Sequence, residues 1–335
     1  MRPYSSALLS AAVLVACGSR TGLLVPGEGE PPNPVDGSTI APPGDDSGEA
    51  LDAGPDVAEI RDALPTIDVT LPPMDAFNDC PDAGATLIYV VTEEDELLSF
   101  YPPTAQFRSI GPLTCPTVNA GAHPFSMAVD RTGIAYVLYQ DGELFRVSTA
   151  TARCQATTFR SGQSGFPNLF GMGFSHDSAD TGETLFVASG NDSTTPRLAT
   201  IDTQTFALRV VGNLQPSITN SELSGTGAGD LYAFFATSGA TPCDNMNTNP
   251  SCTDSAIGQL DKTTGKVVAQ SVLKGDPQGQ AWAFGFWGGD FYTFTAPGSG
   301  TIVNRFSPSD GSLVTVATRS DLIVGAGVST CAPAQ

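Results

Sequence analysis

The sequence predicts an all-β fold: a five-bladed β-propeller, closed by a C-terminal strand that completes blade one and preceded by a disordered tether. Three observations carry this. Five short apolar runs recur along the chain, each with an aromatic residue at its second or third place. A glycine or alanine recurs once per repeat in a strand ahead of the aromatic one. The first repeat lacks that preceding strand, and the last repeat is followed by a spare.

The chain opens with an address. Residues 1–16 hold one early Arg2 and an apolar run at 7–16, too short to span a bilayer and suited to a cleaved export signal. Leu14-Val15-Ala16-Cys17 resembles the lipobox of bacterial lipoproteins. The resemblance implies a signal peptide over 1–16 and lipidation of Cys17 by palmitate-type chains. Gly18, standing where an Asp would favour inner-membrane retention, implies the outer membrane or cell surface. Several acyl chains on one residue hold a protein firmly, since each buried methylene contributes ~0.8 kcal/mol.

Residues 17–82 read as an acidic, Pro/Gly-rich disordered tether. From 25 to 82 there are 14 acidic residues against one basic residue, Arg61, so −13 of the net charge of −20 lies here. Such composition buries too little apolar surface to offset its ordering entropy. A relaxed spacer of this length has an r.m.s. extent on the order of 40 Å. The patch 57–77, with Ile60, Leu64, Ile67, Val69, Leu71 and Phe77, is less polar and is a docking candidate. The acidic balance excludes nucleic acid as a partner, because phosphate binding needs a basic surface.

Residues 83–335 carry the repeats. Over the whole chain Gly 36 and Pro 26 are high and charged residues make up only 15%, which suits short strands and many turns. The aromatic strands are Leu87-Ile88-Tyr89-Val90, Ala135-Tyr136-Val137-Leu138, Leu185-Phe186-Val187-Ala188, Leu231-Tyr232-Ala233-Phe234 and Phe291-Tyr292-Thr293-Phe294. Polar turns such as Asp261-Lys262-Thr263-Thr264-Gly265 mark hairpins. The inner strands align at Ala128, Gly173, Gly225, Gly285 and Gly327. Glycine weakens a strand unless backbones must approach closely, and crowding about a narrow axis favours five blades. The blades are expected at 85–116 with 323–331, 124–160, 170–213, 222–274 and 281–318. Closing the ring with the spare strand removes sheet edges. Met127-Ala128-Val129-Asp130-Arg131-Thr132-Gly133-Ile134-Ala135-Tyr136-Val137 resembles the YVTN and NHL propeller families, and Leu260-Asp261-Lys262-Thr263-Thr264-Gly265-Lys266-Val267-Val268 resembles the quinoprotein-like one. The Trp signature of true quinoprotein blades is absent, so no quinone is implied.

Beyond Cys17 there are six cysteines, an even number that suits an exported protein with three bridges. Topology pairs Cys80 with Cys331 as a staple across the ring closure. Cys243 and Cys252 flank the insertion of blade four. Cys115 with Cys154 follows only by elimination, and the repeat alignment sets these two several residues apart.

Chemistry is sparse. His123 lies in a Gly-Ala-His-Pro loop and His176 is expected in a polar hairpin turn, so no Ser-His-Asp or Cys-His arrangement suggests itself. No metal-binding spacing and no phosphate-cradling loop occurs, and no catalytic residue is assigned. Five-bladed propellers include glycosidases that use axial carboxylates, which directs attention to acids on inner strands: Asp130 at one end and Glu222 at the other. Glu222 aligns with Phe125, Phe170, Trp282 and Val324, and an acid there is either exposed at the channel mouth or functional. The candidate ligand-binding residues are Glu222, Trp282, His123, Asp95, Asp141 and Asp192, with Glu93-Glu94-Asp95, Asp141 and Asn191-Asp192 making an acidic rim. No cofactor is required; Ca²⁺ on that rim stays open. Two functions follow: a membrane-anchored extracytoplasmic scaffold that binds a protein or glycan on its propeller face, or a polysaccharide hydrolase or lyase using acids at the channel mouth.

Overall fold

A computed structural model of the protein describes residues 80, 86–177, 182–190, 195–237 and 254–334. The signal, all of the tether except Cys80, the 57–77 patch, Asp192, Cys243 and Cys252 lie outside the described residues.

The hairpins are set by short polar side chains that fold back on their own backbone. Asp130 Oδ1 accepts from the Thr132 and Ile134 N–H groups, each at 2.9 Å, and from Thr132 Oγ1 at 2.7 Å. Gly133 then takes φ +78°, which a side chain would resist. The same device recurs where Asp261 accepts from Thr263 and Gly265 turns at φ +79°.

Among the described residues, twenty strands make five antiparallel four-stranded sheets. Blade one is β1 (Ile88–Thr92), β2 (Glu96–Tyr101) and β3 (Gln106–Pro112), with β20 (Ile323–Val328) added inside β1. Blade two is β4 (Pro124–Val129), β5 (Ile134–Tyr139), β6 (Leu144–Ser148) and β7 (Cys154–Ala156). Blade three is β8 (Gly171–His176), β9 (Glu183–Ala188), β10 (Arg197–Ile201) and β11 (Leu208–Asn213). Blade four is β12 (Glu222–Gly225), β13 (Leu231–Ala236), β14 (Ser255–Leu260) and β15 (Val267–Leu273). Blade five is β16 (Trp282–Trp287), β17 (Asp290–Gly298), β18 (Gly300–Ser307) and β19 (Ser312–Arg319). The expected five-bladed ring, with the C-terminal strand finishing blade one, is what the chain forms.

Burial explains why it closes. Each face of a blade is apolar, so each blade must be covered twice, and the core is divided among the gaps between neighbours. One apolar cluster joins blades one and two, and others join two and three, three and four, four and five, and five and one. Aromatic pairs lock several of these gaps: Tyr136 meets Phe174 with ring centroids 5.3 Å apart, and Phe100 meets Phe294 at 5.6 Å. At the blade-five side, Asp276 is buried and accepts from Thr293, Thr295 and Asn304, which offsets the cost of removing its carboxyl from water.

The strand register corrects the sequence alignment in one blade. The aromatic residue of each second strand faces a tiny residue on the inner strand: Tyr89 faces Gly327, Tyr136 faces Ala128, Phe186 faces Gly173 and Tyr292 faces Gly285. In blade four, however, Tyr232 faces Ser224, and Gly225 faces Leu231. The alignment there is out by one residue, because a serine was small enough to do the job that a glycine was expected to do.

Candidate functional site

The one-residue correction changes the setting of Glu222. By cross-strand pairing its counterparts are Ser126, Gly171, Ala283 and Gly325, not Phe125, Phe170, Trp282 and Val324. Four small residues therefore surround one long acidic one at the same level of the axis. Space is tight: a Cβ on Gly171 would stand 2.7 Å from the Glu222 Cα. Glu222 Oε2 accepts from Ser126 Oγ at 2.7 Å, so its side chain in blade four reaches blade two, and the Met172 N–H also donates to the carboxyl. Of the two readings of this acid, exposed at the mouth or functional, the exposed one fails, since Glu222 is only 4% exposed.

Above it lies a pocket of about 240 Å³, built at the N-terminal ends of the inner strands. Its apolar walls include Phe125, Trp282 and Val324, and its polar groups are Glu93, Gln140, Gln280 and Glu222. These come from four blades. Glu93 stands on the β1–β2 turn, Gln140 on the β5–β6 turn, and Gln280 just ahead of β16. Glu222 and Trp282 are thus brought together as candidate residues.

Of the other described candidates, none lines this pocket. His123 Nδ1 and Asp95 Oδ2 are 2.9 Å apart, a partly exposed pair beside the mouth in place of a solvated loop histidine. Asp141 Oδ1 accepts from the Glu143 N–H in its own turn. His176 is not in a turn: it is the buried last residue of β8. Among the described residues no group of three or more potential ligands could hold a metal ion. Gln140, Gln280 and the Ser126 hydroxyl were not anticipated. The signal that finds the glutamines is positional, since residues just outside the inner and second strands must ring the mouth of any propeller.

Burial drives the Glu222 carboxyl well above the usual glutamate range, against the downward pull of the Ser126 and Met172 hydrogen bonds. The folded state therefore holds a proton that the unfolded chain gives up above about pH 4.3. Stability from this group is fully present below the unfolded value and is lost as pH rises through the folded one. Glu222→Gln is expected to be more stable than the wild type at pH 7 and to lose that advantage near pH 4. Denaturant midpoints of both proteins at the two pH values check this. Equal midpoints throughout would contradict a buried proton.

The opposite end of the axis is covered differently. After β20 the chain runs on through Ser329–Pro333 and comes up against each of the other four blades. Thr330 Oγ1 donates to Glu183 Oε2 at 2.7 Å, and Glu183 Oε1 accepts from the Arg131 N–H at 2.6 Å. The Thr330 carbonyl would lie 2.5 Å from a Cβ on Gly227, and the Gly288 N–H donates to the Pro333 carbonyl at 2.7 Å. Cys331 is bonded to Cys80 with Cα atoms 5.7 Å apart. A second bond joins Cys115 to Cys154 at a Cα distance of 5.0 Å, closer than the repeat alignment placed them.

No protein-family model matches the sequence, and no curated protein matches it. Among solved structures, the chain is similar to one from a crystal structure of a nidogen/laminin complex, at 13% identity and a TM-score of 0.43. That match covers 72% of this chain and 97% of the other. It is also similar to the crystal structure of TolB from Acinetobacter baumannii, at 11% identity and a TM-score of 0.42, covering 75% of this chain and 68% of that one. Identity this low carries no information about a ligand.

Proposed function

We propose that the protein is an exported lipoprotein, anchored at the outer membrane or cell surface through Cys17, whose propeller is a binding module that takes its ligand at the axial mouth. The observation that carries the binding reading is the pocket itself, where aromatic, amide and carboxyl groups from four blades converge over a floor closed by Glu222. Concave sites with a few convergent polar groups are the usual form of a recognition site. The two disulfides among the described residues suit an oxidising compartment. Among the described residues no helix is long and apolar enough to cross a membrane.

Two measurements test this. Cys17→Ser is expected to move the protein from the membrane fraction to the soluble extracytoplasmic fraction, with loss of acyl mass from the N-terminal peptide. An unmodified Cys17 in the wild type would end the anchoring proposal. Trp282→Ala is expected to abolish binding in a screen of glycans and peptides against the wild type. Undiminished binding would move the ligand to the outer surface. Turnover of a glycan that Glu222→Gln abolishes would replace the binding module with a hydrolase or lyase.

A further inference from the structure

Among the described residues, the mouth pocket holds two carboxyls and no basic side chain. Glu222 is nine-tenths buried and more, and its partners are neutral: the Ser126 hydroxyl and the Met172 N–H. Around it β4 presents Ser126, β8 presents Gly171, β13 presents Phe234, β16 presents Ala283 and Trp282, and β20 presents Val324 and Gly325. None carries a charge. Glu183, on neighbouring β9, sits at the far end of its strand and is committed to Arg131 and Thr330. His123 and Asp95 pair with each other outside the lining. Among the described residues, Glu93 is therefore the one other titratable group lining the pocket.

A buried carboxylate without a counter-ion is costly, so Glu222 stays neutral in the empty cavity while Glu93 faces the same space from the rim. Ionisation of Glu222 becomes favourable when a cation enters between the two carboxyls. Aromatic faces add to this, because their ring quadrupoles attract ammonium groups. The size of the cavity, about 240 Å³, is below the range of about 300–1,000 Å³ typical of drug-sized ligands and suits one slender group.

We infer that the mouth takes an alkylammonium group, which pairs with Glu222 at the floor and Glu93 at the rim while its methylene stem lies against Trp282 and Phe125. The inference rests on the mouth being the binding site. The group is supplied by a free amine or by a lysine side chain of a partner protein. Entry of the ammonium ionises Glu222, and the displaced proton passes to solvent.

Calorimetric titration of the full chain tests this at pH 6, 7 and 8, in two buffers of different ionisation enthalpy. The probes are n-butylammonium, a terminally blocked peptide with one lysine, and methyl glucoside. Butylammonium is expected to bind with about one proton released, so that affinity rises by up to ~10-fold per pH unit while free Glu222 stays protonated. Glu222→Gln should weaken binding by at least ~10-fold and remove the proton release, one charge pair lost at low dielectric. Glu93→Gln, altered at an exposed position that does not threaten the fold, should weaken binding severalfold and keep the release. A peptide that binds more tightly than butylammonium identifies a lysine side chain as the source, and the reverse identifies a free amine. Ammonium binding that neither glutamine variant changes overturns the inference. So does pH-independent binding of methyl glucoside alone, which leaves the mouth as the site if Trp282→Ala abolishes it. Indifference of every probe to Trp282→Ala overturns both the inference and the mouth as the site.

Discussion

Replacing Gly171 with alanine is expected to lower the melting temperature by roughly 6–12 °C, the equivalent of about 3 kcal/mol in a domain of this size. An added Cβ would stand 2.1 Å from the Ser221 carbonyl oxygen and 2.7 Å from the Glu222 Cα. Both are backbone atoms of the next blade and cannot swing aside as a side chain would. Relief requires an inner strand to move, and each inner strand is held by its neighbours around a closed ring. Gly225 is placed the same way, with the Phe174 carbonyl 2.1 Å from its added Cβ. The control is Gly298→Ala, where nothing lies within 4 Å and φ lies outside the left-handed range. That change should alter stability by less than about 0.5 kcal/mol. Thermal melts of the two variants decide the matter. Equal melting temperatures would mean that axial crowding does not explain the small residues.

The second large effect concerns the staple. Cys80 and Cys331 are 251 residues apart, so their bond restricts nearly the whole propeller in the unfolded state. On the loop-entropy relation this is worth about 5 kcal/mol, against about 4 kcal/mol for Cys115–Cys154, whose separation is 39. Cys331→Ser should therefore cost more than Cys154→Ser in guanidinium melts. It also loosens the strap that carries Thr330 to Glu183. A Cys331→Ser variant as stable as the wild type would show that the strap and β20 hold the ring without the covalent link.

Much of this architecture was legible because it depends on local chemistry repeated five times. Asp-rich turns, alternating apolar runs and a tiny residue per repeat each follow from backbone geometry that the sequence must respect in every blade. The spare strand was legible for a related reason: an unpaired inner strand at one end and a missing one at the other can satisfy only each other. The small residue of blade four was not legible to the same precision. Ser224 and Gly225 are both small, and only hydrogen-bond register shows that Ser224 faces Tyr232.

The candidate site divides along the same line. Glu222 was identifiable as an exception to a repeat and Trp282 as a residue aligned with it, and both line the mouth. Asp95 and His123 were grouped with them only by belonging to the same face; their mutual contact at 2.9 Å joins a β1–β2 turn to the approach to β4, 28 residues apart. Gln140 and Gln280 carry no local mark at all.

By itself, then, the sequence determined the blade number, the order of the strands and which segment closes the ring, because each is a matter of periodicity and of unpaired edges. Only the tertiary structure decided that Glu222 lies buried across the axis, bonded to Ser126 two blades away, and that the final residues cross the other end. Those outcomes depend on which side chains meet when five independent blades converge on a common axis. No pattern along a single strand specifies that meeting.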